Sequence, residues 1–249
     1  MVYALIFSPT GGTAKAAEGL LSGWEEPVEK VDLCQKKGKG ISFRPEDQVL
    51  LASPVYGGRI PAAALRRMAS FQGNGARAVL LCVYGNRAYD NALAELGAAA
   101  RRMGLQPVAA VTAVAEHVMD RRIAAGRPDA ADQETLKQFG QKIWEKIVSG
   151  DTKVPVLPGK EPTGWAKPMG VLPVRSKDCD GCQACETACP VGAYHLAAAN
   201  RKACLSCQRC VQVCPQGALS LPGWASLGVR AVLSLTARKR KQPELFCKP

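Results

Sequence analysis

The chain has 249 residues, room for one ordinary domain and a small second one, and a formal net charge of +12 from 33 Lys+Arg against 21 Asp+Glu. No apolar run approaches the ~18 residues of a membrane span, and residues 1–9 lack the basic start of a secretory signal, so no transmembrane or targeting segment is expected. The basic excess is uneven, 19 Lys+Arg to 15 Asp+Glu over 1–150 but 14 to 6 over 151–249; without interleaved aromatics or a recognised module it gives no reason to expect nucleic acid as a partner.

Residues 2–7 form a continuous apolar run, as a strand buried on both faces requires. After Ser8-Pro9-Thr10-Gly11-Gly12-Thr13 comes a helix with Ala14, Ala17, Leu21 and Trp24 on one face. Further strands are read near 28–33, 48–54, 77–84 and 107–114, and helices near 60–71, 88–103 and 132–148. Alternation of strands and helices over 1–150 predicts a parallel sheet covered on both faces. Five strands suit the doubly wound order 2-1-3-4-5, with any ligand at their carboxyl ends.

Three loops at those ends carry candidate chemistry. In Ser8-Pro9-Thr10-Gly11-Gly12-Thr13, small residues let backbone N–H groups close around a phosphate at a helix N-terminus, and the hydroxyls add donors. The loop lacks both the Gly-Lys-Ser/Thr ending of a nucleotide P-loop and the dinucleotide fingerprint. After the third strand comes Ser53-Pro54-Val55-Tyr56-Gly57-Gly58-Arg59, and after the fourth Tyr84-Gly85-Asn86-Arg87-Ala88-Tyr89. These three loops resemble the FMN-binding loops of flavodoxins. The resemblance implies FMN, with Tyr56 and Tyr89 as its stacking rings and Gly57-Gly58 as the peptide that can flip to bond the flavin N5–H. It departs where Arg59, Asn86 and Arg87 stand in a region often acidic in flavodoxins; two guanidinium groups there would favour fully reduced, anionic flavin.

Residues 151–172 are rich in Pro and Gly and read as a semi-extended linker, packed down by Trp165, Val171 and Leu172. The loop 115–130 is expected beside the flavin edge, with His117 either a proton donor or a plain polar loop residue. Cys34, Cys82 and Cys247 have no ligand spacing.

Eight of the eleven cysteines lie in one stretch: Cys179, Cys182, Cys185 and Cys189-Pro190, then Cys204, Cys207, Cys210 and Cys214-Pro215. The pattern is C-x2-C-x2-C-x3-C-P, twice. The repeat runs further, since Pro190–Leu196 matches Pro215–Leu221 at an offset of 25 residues. Zinc gives no reason for the doubled Cys-Pro, and disulfides would need a secreted chain. The stretch closely resembles bacterial two-cluster ferredoxins. The resemblance implies two [4Fe–4S] clusters with crossed ligation: one on Cys179, Cys182, Cys185 and Cys214, the other on Cys204, Cys207, Cys210 and Cys189. So small a unit draws much of its folding free energy from the metal.

The chain as a whole resembles the flavodoxin–ferredoxin fusion proteins of anaerobic bacteria, over roughly 1–150 and 173–222. The expected organisation is a flavodoxin-like FMN domain (1–150), a linker (151–172), a small α+β ferredoxin domain (173–223) and a basic C-terminal tail (224–249) that either is solvated or docks an acidic partner or an anionic membrane. The fold class is α/β, a flavodoxin-like doubly wound parallel sheet followed by the ferredoxin domain. The resemblance implies electron transfer in a reducing cytoplasm: a low-potential donor protein feeds the clusters, the clusters feed FMN, and FMN passes electrons to a partner or small acceptor. The alternative is an FMN-dependent reductase of an organic substrate.

Overall fold

The computed structural model describes residues 1–35 and 40–248. The first strands and helices are β1 (Val2–Ile6), α1 (Gly12–Leu21), β2 (Val28–Asp32), β3 (Gln48–Pro54), α2 (Ala62–Met68), β4 (Arg77–Tyr84), α3 (Ala92–Arg102), β5 (Gln106–Val114) and α4 (Ala130–Val148). Every residue of β3 is buried, and all of β4 except Arg77 at its start, as follows from layers on both faces. Helices α1 and α4 cover one face with Leu20, Leu136, Ile143 and the stacked pair Trp24–Trp144, whose rings lie 5.5 Å apart. Helices α2 and α3 cover the other with Leu65, Met68, Leu93 and Leu96. Helix α4 starts on a reciprocal capping box between Asp129 and Asp132.

The sheet order is β2-β1-β3-β4-β5-β8, with β1–β5 parallel. The five parallel strands have the expected flavodoxin-like order. The sixth was not expected. Strand β8 (Glu244–Phe246) pairs antiparallel with β5, Val111 opposite Leu245. Three residues without alternation give no strand signal, so only the uncovered edge of β5 selects them.

The small second region comprises β6 (Val174–Arg175), α5 (Ala184–Ala188), α6 (Arg209–Gln212) and β7 (Leu219–Ser220), with β6 pairing antiparallel with β7. Its core is made of cysteines together with Ala193, Tyr194 and Leu219. The sequence repeat is a structural repeat. Gln183 and Gln208 both take left-handed φ before their short helices, at 59° and 61°. The amides of Ala193 and Ala218 both donate to sulfur, to Cys189 Sγ at 3.2 Å and Cys214 Sγ at 3.3 Å.

Residues 224–249 are not the free tail that their charge suggested. Helix α7 (Gly223–Thr236) lies over the strand ends, and the chain then returns along the first domain to form β8. Asn86 fixes this return: its Nδ2 donates to the carbonyls of Ala237 (2.8 Å) and Lys239 (3.0 Å), and its Oδ1 accepts from the Lys241 amide (3.1 Å). Arg240 pairs with Asp129 at 2.8 Å, and the buried Arg127, held by Asp132, donates to Lys241 O. The linker is anchored at Lys160 N to Asn91 Oδ1 (3.0 Å) and at Gly164 O to Arg59 (2.8 Å). Trp165 stays largely exposed under the Arg66 guanidinium.

Candidate functional site

A cavity of about 350 Å³ opens at the carboxyl ends of the parallel strands, within the ~300–1,000 Å³ usual for small-molecule sites. Its floor is the loop before α1. Ser8 Oγ accepts from the Ala14 amide at 3.0 Å, folding the loop over the helix N-terminus. The remaining first-turn amides have no partner within the helix and, with Thr10, Gly12 and Thr13 in the cavity wall, form a donor cradle for an anion. Gly11, the N-cap residue with φ of 91°, lines an adjoining cavity of about 660 Å³ shared with Lys15 and Gln212.

One side wall is Pro54, Val55, Tyr56 and Gly57. Tyr56 and Arg59 exchange backbone hydrogen bonds of 2.9 and 3.2 Å around Gly57-Gly58, both with positive φ (58° and 77°). That is the geometry of a two-residue hairpin turn, and two glycines adopt it without a Cβ penalty. Behind the turn, Glu95 of α3 accepts from Arg59 Nε (3.0 Å) and Nη2 (2.8 Å) and from the Ile60 amide (2.8 Å). Glu95 was not singled out from the sequence. Its signal was a carboxylate beside Leu96 on the inward face of an apolar helix, where it is 4% exposed. This pairing also neutralises Arg59, which is not part of the cavity wall, so its expected pull on a flavin is cancelled.

The opposite wall is Tyr84, Gly85 and Arg87, with Arg87 paired to Asp90. The expected contribution of Tyr89 is not seen. Its ring meets Tyr84 edge-on at 5.4 Å and its hydroxyl donates to Glu244 at 2.7 Å, outside the cavity. Gly58 lies outside the wall, and Asn86 is spent on the returning chain. Helix 88–103 accordingly starts only at Ala92, because Asn86 and Asp90 take positive φ.

The loop after β5 supplies Ala115, Glu116, His117 and Met119. His117 Nδ1 accepts from the Met119 amide at 3.2 Å, which leaves the ring proton on Nε2. Burial lowers the His117 pKa, Arg87 acts the same way and Asp120 opposes them, so the ring is neutral near pH 7. The roof is Gly228, Val229, Val232 and Leu233 of α7, with Met169 of the linker. None of these roof residues was singled out, because they lie 55 or more residues beyond the last parallel strand, Met169 in the linker and the others in α7.

The cysteines divide by burial. Cys185, Cys189, Cys204, Cys207 and Cys210 are buried, whereas Cys182 is exposed and Cys179 and Cys214 are half-buried. Burial pushes the Cys207 thiol up to about 11 and the Cys210 thiol up to about 12, and in both cases Cys204 and Cys189 push the same way. Cys189 therefore faces the cysteines of the second repeat. Cys214 likewise raises Cys185 of the first, after burial. Thiols so crowded and desolvated become thiolates only beside positive charge, which suits a metal cluster. Leu205 and Ser206, between Cys204 and Cys207, complete the cavity wall, and Arg209 and Gln212 donate to the Pro9 and Thr10 carbonyls of the anion loop at 2.9 and 3.4 Å.

Residues 172–195 and 199–220 match the family model of the 4Fe-4S binding domain. No curated protein matches the sequence. Solved structures similar to the chain include a flavodoxin from Streptococcus pneumoniae (17% identity, 59% of this chain, 99% of that one, TM-score 0.40). Others are oxidised flavodoxin 1 from Bacillus cereus (14%, 59% and 97%, TM-score 0.40) and two-electron reduced flavodoxin from Megasphaera elsdenii (15%, 57% and 99%, TM-score 0.36). The 4Fe-4S match is confined to residues 172–220. The chain thus joins a segment that matches the 4Fe-4S binding domain to a doubly wound sheet of flavodoxin-like topology.

Proposed function

We propose that the protein is an electron-transfer flavoprotein with one FMN in the strand-end cavity and two [4Fe–4S] clusters on its eight repeat cysteines. The observation that carries this reading is the shared wall. Leu205 and Ser206 line the cavity, and Cys207 packs in the same apolar cluster as Tyr56. The set Cys189, Cys204, Cys207 and Cys210, all buried, would then be the inner one beside the cavity, and the set Cys179, Cys182, Cys185 and Cys214, of which only Cys185 is buried, the outer one. An electron from a low-potential donor protein has a stepped route: outer ligand set, inner ligand set, cavity. Clusters supply one-electron relays and FMN a two-electron acceptor.

The chain's own groups prepare that chemistry. First-turn amides of α1, with Thr10 and Thr13, would hold the phosphate, and Tyr56 would offer a ring face to the isoalloxazine. The Gly57 peptide can turn toward the flavin edge at low cost. The roof on α7 would cover the bound group with apolar side chains, and the neutral His117 would offer it a hydrogen-bond donor at Nε2. A cavity with room beside that hydrogen-bond donor also favours the second reading, reduction of an organic acceptor.

The test is anaerobic purification followed by iron, sulfide and flavin analysis. About eight iron, eight sulfide and one FMN per chain are expected. FAD, no flavin, or about four iron would overturn the reading. Cys182→Ser should slow flavin reduction by a protein donor while leaving flavin content unchanged; an unchanged rate would remove the outer ligand set from the route.

A further inference from the structure

Helix α7 has two apolar sides, and the cavity uses only one. Gly228, Val229, Val232 and Leu233 roof the cavity, so a bound cofactor would cover that side. Trp224, Leu227, Ala231 and Leu235 recur at spacings of three, four and four and form a second stripe. They face solvent: Trp224 is 65% exposed, Leu227 66% and Leu235 75%. Of the 14 residues of the helix only Ala225 and Leu233 are buried.

We propose that this outer stripe is a docking surface for an anionic lipid bilayer. Charge selects the occupant. Residues 221–243 contain five Arg or Lys and no Asp or Glu. Arg240 is tied to Asp129, but Arg230, Arg238 and Lys239 are exposed beside the stripe. Arg122, from the neighbouring loop, borders the same end of the helix as Arg238 but is itself paired with Asp120 at 2.6 Å, so the free charge is that of Arg230, Arg238 and Lys239. A bilayer offers anionic headgroups above hydrocarbon, in the vertical order that a basic, apolar, Trp-bearing helix face requires. A second copy of this helix would instead bring the same basic groups together with no helix carboxylate to answer them. At 14 residues, about 21 Å, α7 is too short for a core of ~30 Å and would lie along the surface. No helix among the described residues is long and apolar enough to cross a membrane. The inference is independent of the flavin reading, because the stripe does not line the cavity.

Vesicle flotation of the full-length, anaerobically purified protein tests it. Vesicles of phosphatidylcholine with about one-third phosphatidylglycerol should bind the protein about tenfold or more tightly than phosphatidylcholine alone, and salt should weaken that binding. Leu227→Glu/Leu235→Glu should reduce it about tenfold or more with unchanged flavin and iron content. Should that variant fail to fold, Trp224→Phe gives a second measurement: quenching of tryptophan emission by brominated lipid should be lost. The proposal is overturned if the wild type does not float with anionic vesicles. Unchanged flotation of the glutamate variant, or quenching undiminished in Trp224→Phe, overturns it as well. A wild-type dimer that becomes monomeric in the glutamate variant, with no flotation, assigns the stripe to a second copy. Loss of binding to an acidic protein donor in that variant, again without flotation, assigns it to that donor.

Discussion

The imidazole of His117 occupies the space that a side chain on Gly85 would need: a Cβ built there comes within 2.4 Å of His117 Cδ2. The loops after β4 and β5 can close one wall of the cavity only because position 85 carries no side chain. Gly85→Ala should push the imidazole away, at about 1–3 kcal/mol, and loosen any ligand in the cavity. Urea unfolding and flavin titration of the variant check this; unchanged values for both would show that His117 is not held there.

Arg59 and Glu95 should respond unequally. Glu95 is nearly fully buried, whereas the Arg59 side chain is 23% exposed. Arg59→Ala leaves a buried carboxylate without its cation, at about 3–5 kcal/mol. Glu95→Gln leaves a cation that water can reach, at about 2 kcal/mol. The double variant should recover part of the loss. Equal single losses that simply add would mean that the pair does not act as a unit.

The crossed cysteine sets predict separable losses. Cys189→Ser should deplete the set of Cys204, Cys207 and Cys210 although Cys189 lies in the first repeat, and Cys214→Ser the set of Cys179, Cys182 and Cys185 although it lies in the second. Iron content falling by about half in either variant, with different spectral components surviving, is the expected result. Loss of the same component in both would refute the crossing.

Truncation after Ala237 should destabilise the first domain and not merely slow partner association, which is what a free basic tail would have implied. It removes β8, the Arg240–Asp129 pair and the Tyr89–Glu244 hydrogen bond, and leaves the buried Asn86 without its Lys241 amide donor. Thermal melting of wild type and truncation side by side is the measurement; coincident curves would contradict it.

Acid should weaken the cavity wall through His117. Its folded pKa lies below the ordinary 6.5 because burial, then Arg87, disfavours the charged ring. Between the two values the unfolded chain binds the extra proton, so the stabilisation is complete above about pH 6.5 and declines as pH falls through the folded value. His117→Gln should flatten that limb of the stability–pH curve.

The parallel strands were legible because β3 and β4 are apolar runs that fall between Gly- and Pro-bearing loops. The cysteine repeat was legible because its spacing is itself a ligand geometry. On the loops, sequence position placed Tyr56, Gly57 and Tyr84 correctly at the cavity. Asn86 and Tyr89 are instead bonded to partners more than 150 residues away in the returning chain. A loop's conformation can be read locally; the far segment that claims its polar atoms cannot.

The order of the chain also constrains how the molecule is made. The α7 part of the cavity's roof and the sixth strand both follow Cys214 in sequence. A ribosome that has finished the parallel strands has therefore made only an open cradle. Closure waits until all eight cysteines have left the exit tunnel, so a nascent chain stalled before α7 can expose the flavin loops but cannot seal them.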